Sequence, residues 1–409
     1  MVTTQNLNSF LLFGYFLDYK GTGLVSAPQT DINKYKDCSL NELTEIGSDL
    51  IIEIFKDEFV PNSQHLIPLS GGYDSRAILA GLLKFTESRN IKTYTYGIPG
   101  SYDFDIARKI AKLYGLHHYE IDFEKHNFTL DSLLDASKRF RHQTLLFFHP
   151  DYISIKEMFG DHMYWSGFLG GSFNGTLRSL KWSTPDTDKQ LVKERFLKDN
   201  LYVQSVFLSS EPMENLTVLL DGCDINIDNL NLYEKLDLFN RQAKYTGPHV
   251  CPEGFNMIIP FGSSKWQNFI CSIPVKFKID MILYKKILLN TFPELFSLPT
   301  KNELGFALGS SNLVQFLKKA EYKLISYLGM KSYVMRKRGN YFDINWFIRN
   351  NKNMKEIVIN ALENLKKRNI VPWVDFEMLT SRHFREEADY GDALQTLASL
   401  ELNLTSRGE

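Results

Sequence analysis

His65-Leu-Ile-Pro-Leu-Ser-Gly-Gly-Tyr-Asp-Ser-Arg-Ala-Ile-Leu-Ala80 passes from an apolar run through a glycine pair straight into a helical pattern, and that order sets the fold. Leu66, Ile67 and Leu69 form a short apolar run of the kind buried in a parallel sheet, and Ile78, Leu79, Leu82 and Leu83 then recur at helical spacing. Gly71 and Gly72 allow a tight turn with no Cβ between backbone and ligand. The following helix directs unsatisfied N–H groups and positive partial charge at the turn, where the Ser70 and Ser75 hydroxyls add donors. A polyphosphate suits such a turn.

The turn lacks Gly-Lys-Ser/Thr, so no lysine reaches a terminal phosphate from within it. It carries Asp74 instead, and a carboxylate beside a phosphate cradle makes sense when it holds Mg2+ that bridges to phosphate oxygens. An ordinary strand–helix turn would explain the glycines but not Ser70, Asp74 and Ser75 together. Ser-Gly-Gly-Xaa-Asp-Ser after a strand resembles the pyrophosphate loop of the PP-loop ATP pyrophosphatases. The resemblance implies cleavage of ATP between its α- and β-phosphates, with a carboxylate or carbonyl oxygen adenylated and then displaced by a nucleophile.

At 409 residues the chain has room for two or three packed units. Its 44% hydrophobic and 23% charged residues are globular values and exclude a disordered chain. Lys+Arg 47 against Asp+Glu 48 leaves a formal charge of -1, so no long-range field favours nucleic acid or an anionic membrane surface. Cys38, Cys223, Cys251 and Cys271 stand far apart, with no CxxC and no histidine at zinc-ligand spacing, and are expected as reduced, mostly buried thiols. Met-Val-Thr-Thr-Gln has no basic leader and Phe10–Leu17 is too short to span a bilayer, so a cytoplasmic protein is expected.

In chain order, residues 1–40 read as a short β-rich segment, with Phe10–Leu17 as a strand and Gly21-Thr-Gly23 as a turn. Ser39 is placed to cap a helix running to about Phe59, whose Leu43, Ile46, Leu50 and Ile54 fall three or four apart. Ile91–Gly97 predicts a second parallel strand reached by a crossover helix, Asp103-Phe-Asp105 opens another helix, and His118–Phe123 gives a third strand. The fold expected is α/β, an open doubly wound, mostly parallel sheet with an additional helical layer. Asp103 and Asp105 suit a first helical turn whatever the function, and are also candidates for substrate or metal. His117 and His118 read as one surface and one buried histidine rather than a metal pair.

Met163 to Gly175 makes a second glycine-rich turn after an apolar run, able to close around phosphates from the other side. Residues 180–240 read as a solvent-facing helical layer. Lys301 stands in a loop flanked by proline and glycine, where a lysine is ordinarily a solvated charge. Arg336-Lys-Arg338 reads as a solvated basic cluster on a loop, and Met354–Leu365 and Asp392–Leu404 as helices.

Taken in order, the loop at 70–75, Gly97 and Asp103, the turn at 166–175, Ile259-Pro-Phe261 and Leu298-Pro-Thr-Lys301 with Gly305-Phe306 resemble the synthetase domain of the asparagine synthetase family. The resemblance runs from about residue 45 to 310. It implies an ATP-binding domain over 41–310 and a helical extension over 311–409. By the same resemblance Ser70, Gly71, Gly72, Asp74 and Ser75 hold ATP phosphates, joined by Gly97, Gly167 and Gly170. Asp74 takes Mg2+, Asp103 is a second candidate ligand, and Lys301 stabilises charge as the adenylate forms and collapses. A cation so aimed in a dry site is worth several kcal/mol, roughly a hundredfold or more in rate.

Three departures shape the expected function. Gly170-Gly171 stands where relatives have Gly-Asp, removing a Mg2+ ligand, and Pro260-Phe-Gly-Ser263 replaces Pro-Phe-Leu-Asp, which makes aspartate a poor substrate. Val2 stands where glutamine-dependent relatives have a nucleophilic cysteine, so residues 1–40 are expected as the vestige of a glutaminase domain. The expected enzyme is therefore an ATP- and Mg2+-dependent ligase that adenylates a carboxylate for attack by ammonia or an amine, with a separate ammonia-supplying protein as candidate partner. A weakened nucleotide-binding regulatory or assembly protein is the alternative. An RNA-modifying enzyme is disfavoured by the neutral charge and the missing cysteine pair.

Overall fold

The computed structural model describes the chain except residues 1, 22, 176–187, 224, 226, 228 and 341. Strands β1 (His65–Pro68), β2 (Ile91–Gly97), β3 (His117–Asp122), β4 (Met163–Trp165) and β5 (Asn256–Ile258) form one sheet in the order β3-β2-β1-β4-β5. Every pairing is parallel, so this is the doubly wound α/β sheet expected. Successive strands step one way from β1 to β3, then cross to the other side of β1 for β4 and β5. The crevice outside the carboxyl ends of β1 and β4 is thus the topological switch point, where such sheets bind ligands.

The first four helices are α1 (Thr4–Phe13), α2 (Leu40–Glu58), α3 (Tyr73–Leu82) and α4 (Tyr102–Leu113), of which α3 and α4 contribute residues to that crevice. The Ser39 hydroxyl accepts the Glu42 N–H, and the Glu42 carboxylate accepts the Ser39 N–H at 2.7 Å, a capping box that fixes where α2 starts. Its buried face is Leu43, Gly47, Ile51, Ile54 and Phe55; Ile46, expected on it, is exposed. Phe55 stacks on Trp165 at 5.8 Å and so joins α2 to β4. Ser101 caps α4, whose first turn carries Asp103 and Asp105.

The amino-terminal segment is not β-rich. Residues 4–13 are helical, capped by Thr3, and stopped by Gly14 in the left-handed region at φ 75°. Leu7, Phe10 and Leu11 give the i, i+3, i+4 pattern that decides this; Phe10–Phe13, the first half of the apolar run that suggested a strand, is buried as helix, and Tyr15–Leu17 is buried beyond it. The only strand-like feature nearby among the described residues is an isolated bridge from Tyr15 to Thr144. Helix α1 shares a core with residues 123–152 and with the helices after residue 342, including the almost wholly buried Gly391–Ser406. A separate core unites α2, α3, β1 and the helices Ser264–Ser272 and Ile282–Thr291. Boundaries at 40 and 310 therefore do not separate one core from the other.

Two further expectations change. Arg336-Lys-Arg338 lies on the helix Lys331–Gly339, with Arg336 paired to Glu124 at 2.6 Å and Lys337 to Asp105 at 2.8 Å, so the cluster is a clamp and not a solvated loop. Of the region 180–240, residues 180–187, 224, 226 and 228 lie outside the described residues; the rest holds the helices Lys189–Asp199, Met213–Leu220 and Leu232–Leu236, joined by non-helical segments and in part buried. The four cysteines are free thiols, three of them buried. Among the described residues no helix is long and apolar enough to cross a membrane.

Three buried histidines make the fold acid-sensitive. Burial lowers His65, His149 and His383 to about 4 each. Nδ1 of His65 accepts from the Trp165 indole at 3.0 Å, and Nδ1 of His383 accepts from the Tyr390 N–H at 3.1 Å, so protonation would break both bonds. Because these histidines stay neutral in the fold while the unfolded chain protonates near 6.5, their contribution is complete above that pH. It is lost as pH falls from about 6.5 through about 4, at up to about 3 kcal/mol each. The urea midpoint should fall steeply over that interval, and His383→Asn, which keeps an acceptor without titrating, should fall less steeply than the wild type.

Candidate functional site

Arg76, the last named residue before the buried face of α3 becomes wholly apolar, has no exposed surface. Its guanidinium donates to the carbonyl of Pro299 at 2.7 Å, to Leu298 at 3.3 Å, and to Leu295, and packs over the Phe296 ring at 5.1 Å. Burial lowers it only to about 10, so it stays charged at neutral pH. The carbonyls it holds end the short helix Pro293–Phe296 and lead directly into Lys301. The Lys301 N–H then donates to the Gly71 carbonyl at 2.9 Å. Residues more than two hundred positions apart are thereby fixed side by side at the glycine turn.

The turn itself is pinned by its own serines. The Ser70 N–H donates to Ser75 Oγ at 3.0 Å, the two hydroxyls lie 2.9 Å apart, and the Gly72 N–H donates to Ser70 Oγ at 3.2 Å. No side chain caps α3 at Gly72, so its first-turn N–H groups are left for a ligand. Gly71 has to be glycine: a Cβ there would lie 2.8 Å from the Tyr102 carbonyl and 3.2 Å from Lys301.

Ser70, Gly72, Asp74, Ser75, Asp103, Gly167, Gly171 and Lys301 line one cavity of about 560 Å3 at the switch point. Asp74 accepts from the Tyr284 hydroxyl at 2.7 Å and from the Gly171 N–H at 3.1 Å. Burial nevertheless pushes it up to about 6, against those two donors. A Cβ on Gly167 would lie 2.8 Å from that of Asp74, and one on Gly170 would overlap the carboxyl group. The second glycine turn thus closes on the first, with Gly170 packed against Asp74 rather than facing the cavity.

Lys301 Nζ lies 2.6 Å from Asp103 Oδ2, and the Gly71 N–H donates to Asp103 Oδ1 at 3.2 Å. Asp103 is therefore committed to orienting the lysine. Asp105 pairs with Lys337 away from the cavity, and Gly97 lies beneath Asn340, whose amide bonds Tyr96, Ile98 and Ser101. Ser263 precedes the helix Ser264–Ser272 and is not among the lining residues. Among the described residues no group of three or more His, Cys, Asp or Glu could hold a metal ion. Asp74 alone suits a Mg2+ ion that arrives already bound to phosphates, which supply the remaining oxygens.

The lining also includes residues that the sequence did not single out: Tyr164, Asp237, Arg241, Gln242, His249, Asn302 and Asn340. Arg76 had a signal, being a lone charge in an otherwise apolar helical stripe. Asp237, Arg241 and Gln242 had none, since they lie on a π-helical stretch, Asp237–Thr246, which no spacing rule anticipates.

Arg76→Lys keeps the charge but cannot span three carbonyls in one plane. It should cost about 2–4 kcal/mol, in the range for breaking a buried charged network. Hydrogen exchange should rise over residues 295–305 while the sheet strands remain protected; unchanged exchange there would remove Arg76 from the positioning of Lys301.

No curated protein matches the chain. Residues 64–144 match the family model described as asparagine synthase, a stretch that contains β1, the glycine turn, β2 and Asp103. The stretch entered at this loop is therefore similar to the asparagine synthase family, and it lies within an all-parallel switch-point sheet.

Proposed function

We propose that this chain is an ATP-dependent amide-forming ligase that adenylates a carboxylate. The family is one of ATP-using amidoligases. The observation that carries the finer reading is the placement of Lys301: it is held at the glycine turn by its own N–H to Gly71, with its ammonium pre-oriented by Asp103. In this reading the α3 N-terminus and the Ser70 and Ser75 hydroxyls bind the β- and γ-phosphates, and Asp74 holds a Mg2+ ion carried by the nucleotide, which neutralises phosphate charge. A carboxylate oxygen attacks the α-phosphorus, the bond to the bridging oxygen breaks, and pyrophosphate leaves. A neutral amine or ammonia then attacks the acyl carbon, AMP leaves, and the nitrogen gives up a proton. Lys301 faces the negative charge that develops in both steps.

Ser263, in place of the acid expected after Pro260-Phe, favours a substrate other than aspartate. The Gly171 N–H, which donates to Asp74 where relatives have a second carboxylate, leaves Mg2+ with fewer protein ligands and favours binding only as the Mg–ATP complex.

Pyrophosphate release from Mg–ATP, followed across a panel of carboxylic acids with ammonium or an amine, tests the reading. Lys301→Ala should lower kcat by about a hundredfold or more with ATP affinity within a few-fold. Asp74→Asn should weaken Mg–ATP by at least about tenfold and ATP without metal far less. ATP binding without turnover, indifferent to Lys301→Ala, would identify a nucleotide-binding regulatory protein instead.

A further inference from the structure

The connection from β4 to β5 supplies another wall of the cavity, and Asp237, Arg241, Gln242 and Thr246 on it belong to the π-helical stretch Asp237–Thr246. A π-turn winds more loosely than an α-turn, so residues five apart, not four, face one another. The side chains show the result: the Gln242 amide donates to Asp237 at 3.0 Å, an i, i+5 bond. In an α-helix Asp237 would meet Arg241 at i, i+4 and pair with it. Here Arg241 makes no hydrogen bond or ion pair with any described residue; its charge acts on the Asp237 carboxylate without a bond to it, and its guanidinium lies 5.9 Å from the centre of the Tyr245 ring.

The other cations of the lining are spent. Lys301 is paired with Asp103, and both ring nitrogens of His249 lie 2.9 Å from backbone carbonyls, those of Tyr245 and Leu145. Tyr152 and Tyr164 line the same space, but the Tyr152 hydroxyl donates to the His249 carbonyl at 2.8 Å and the Tyr164 hydroxyl bonds that of Tyr94. Their rings therefore offer carbon to a ligand. The cavity thus has a phosphate end at the glycine turn and, on a different wall, aromatic carbon with a free guanidinium.

We propose that Arg241 anchors a second carboxylate of the acid substrate, distinct from the one that is activated. This rests on the carboxylate-activating reading above. The activated carboxylate loses its charge as its oxygen joins phosphorus, so a guanidinium held on it would stabilise the ground state more than the transition state. A carboxylate that keeps its charge throughout gains the same from Arg241 at every stage, which is uniform binding and acts on KM. The π-turn gives Asp237 to the Gln242 amide and leaves the Arg241 guanidinium, though near that carboxylate, with its donors unbonded to it.

Phenylglyoxal labelling of the full chain, read by peptide mass spectrometry, tests this without knowledge of the natural acid. Arg241 should label readily and Arg76 should not. Succinate or glutarate should slow labelling of Arg241 several-fold, whereas acetate and Mg–ATP alone should not. For any acid that supports pyrophosphate release, Arg241→Gln should raise KM ten- to a hundredfold with kcat within threefold, and Arg241→Lys should recover part of the loss. Protection by Mg–ATP alone would make Arg241 a phosphate ligand and overturn the proposal, as would equal labelling with and without dicarboxylates. A wild-type protein whose Arg241 is protected by succinate but which never releases pyrophosphate would sink the ligase reading and leave the subsite standing.

Discussion

A buried guanidinium holds the site together. Arg76 sits one turn into the helix that begins at the phosphate loop, and its carbonyl acceptors sit just before Lys301. The arginine is too deeply buried to be tolerated without acceptors, and the carbonyls of Leu295, Leu298 and Pro299 supply them. The desolvation that would make an isolated buried cation untenable becomes, with three planar acceptors, a geometric constraint on where Lys301 must stand. The site's geometry follows from that constraint and from the Gly71 backbone, whose carbonyl takes the Lys301 N–H and whose own N–H reaches Asp103.

The electrostatics of the cavity follow from the same economy of partners. Asp103 and Lys301 neutralise one another at the turn, and in the proposed reaction this leaves Asp74 as the carboxylate there for a phosphate-bound cation. Its two donors, Tyr284 and the Gly171 N–H, fix its orientation, while burial keeps its affinity for a proton high enough that a second positive charge nearby is welcome. The glycine at 171 is therefore not an empty place: its backbone N–H bonds the carboxylate where a second acid would have repelled it. One carboxylate stabilised by donors suits a metal delivered with its own oxygens, and two would suit a metal bound more firmly by the protein.

The sheet and its loop were legible because local chemistry and global fold agree there. An apolar run, two glycines and a helical stripe admit one arrangement, and β1, β2 and α4 lie where spacing put them. The amino-terminal segment was misread because Phe10–Leu17 is apolar on every face: a helix buried on all sides and a buried strand give the same run, and only the Leu7, Phe10, Leu11 spacing separates them. Arg336–Arg338 was misread because charge partners in the turn after β3 and on α4 are invisible until the chain folds back on them. The π-helical wall was not legible at all, since its function depends on breaking the periodicity by which helices are recognised.

The pairing of Lys301 with Asp103 orders the lysine rather than quenching it. A free lysine side chain must give up about 2 kcal/mol of rotamer entropy to hold one position. Asp103, itself capped by the Gly71 N–H and set in the first turn of α4, has already imposed that order. In the proposed reaction, as negative charge accumulates on phosphate or acyl oxygen, the ammonium has three donors to share and needs to surrender none of its alignment to reach a second acceptor. The ion pair thus lowers the cost of presenting the cation at the moment charge develops, which is what preorganised electrostatic stabilisation requires. On this argument Asp103 acts through the lysine, and its place in the sequence, two residues after the cap of α4, is set by the strand end that delivers it to Gly71.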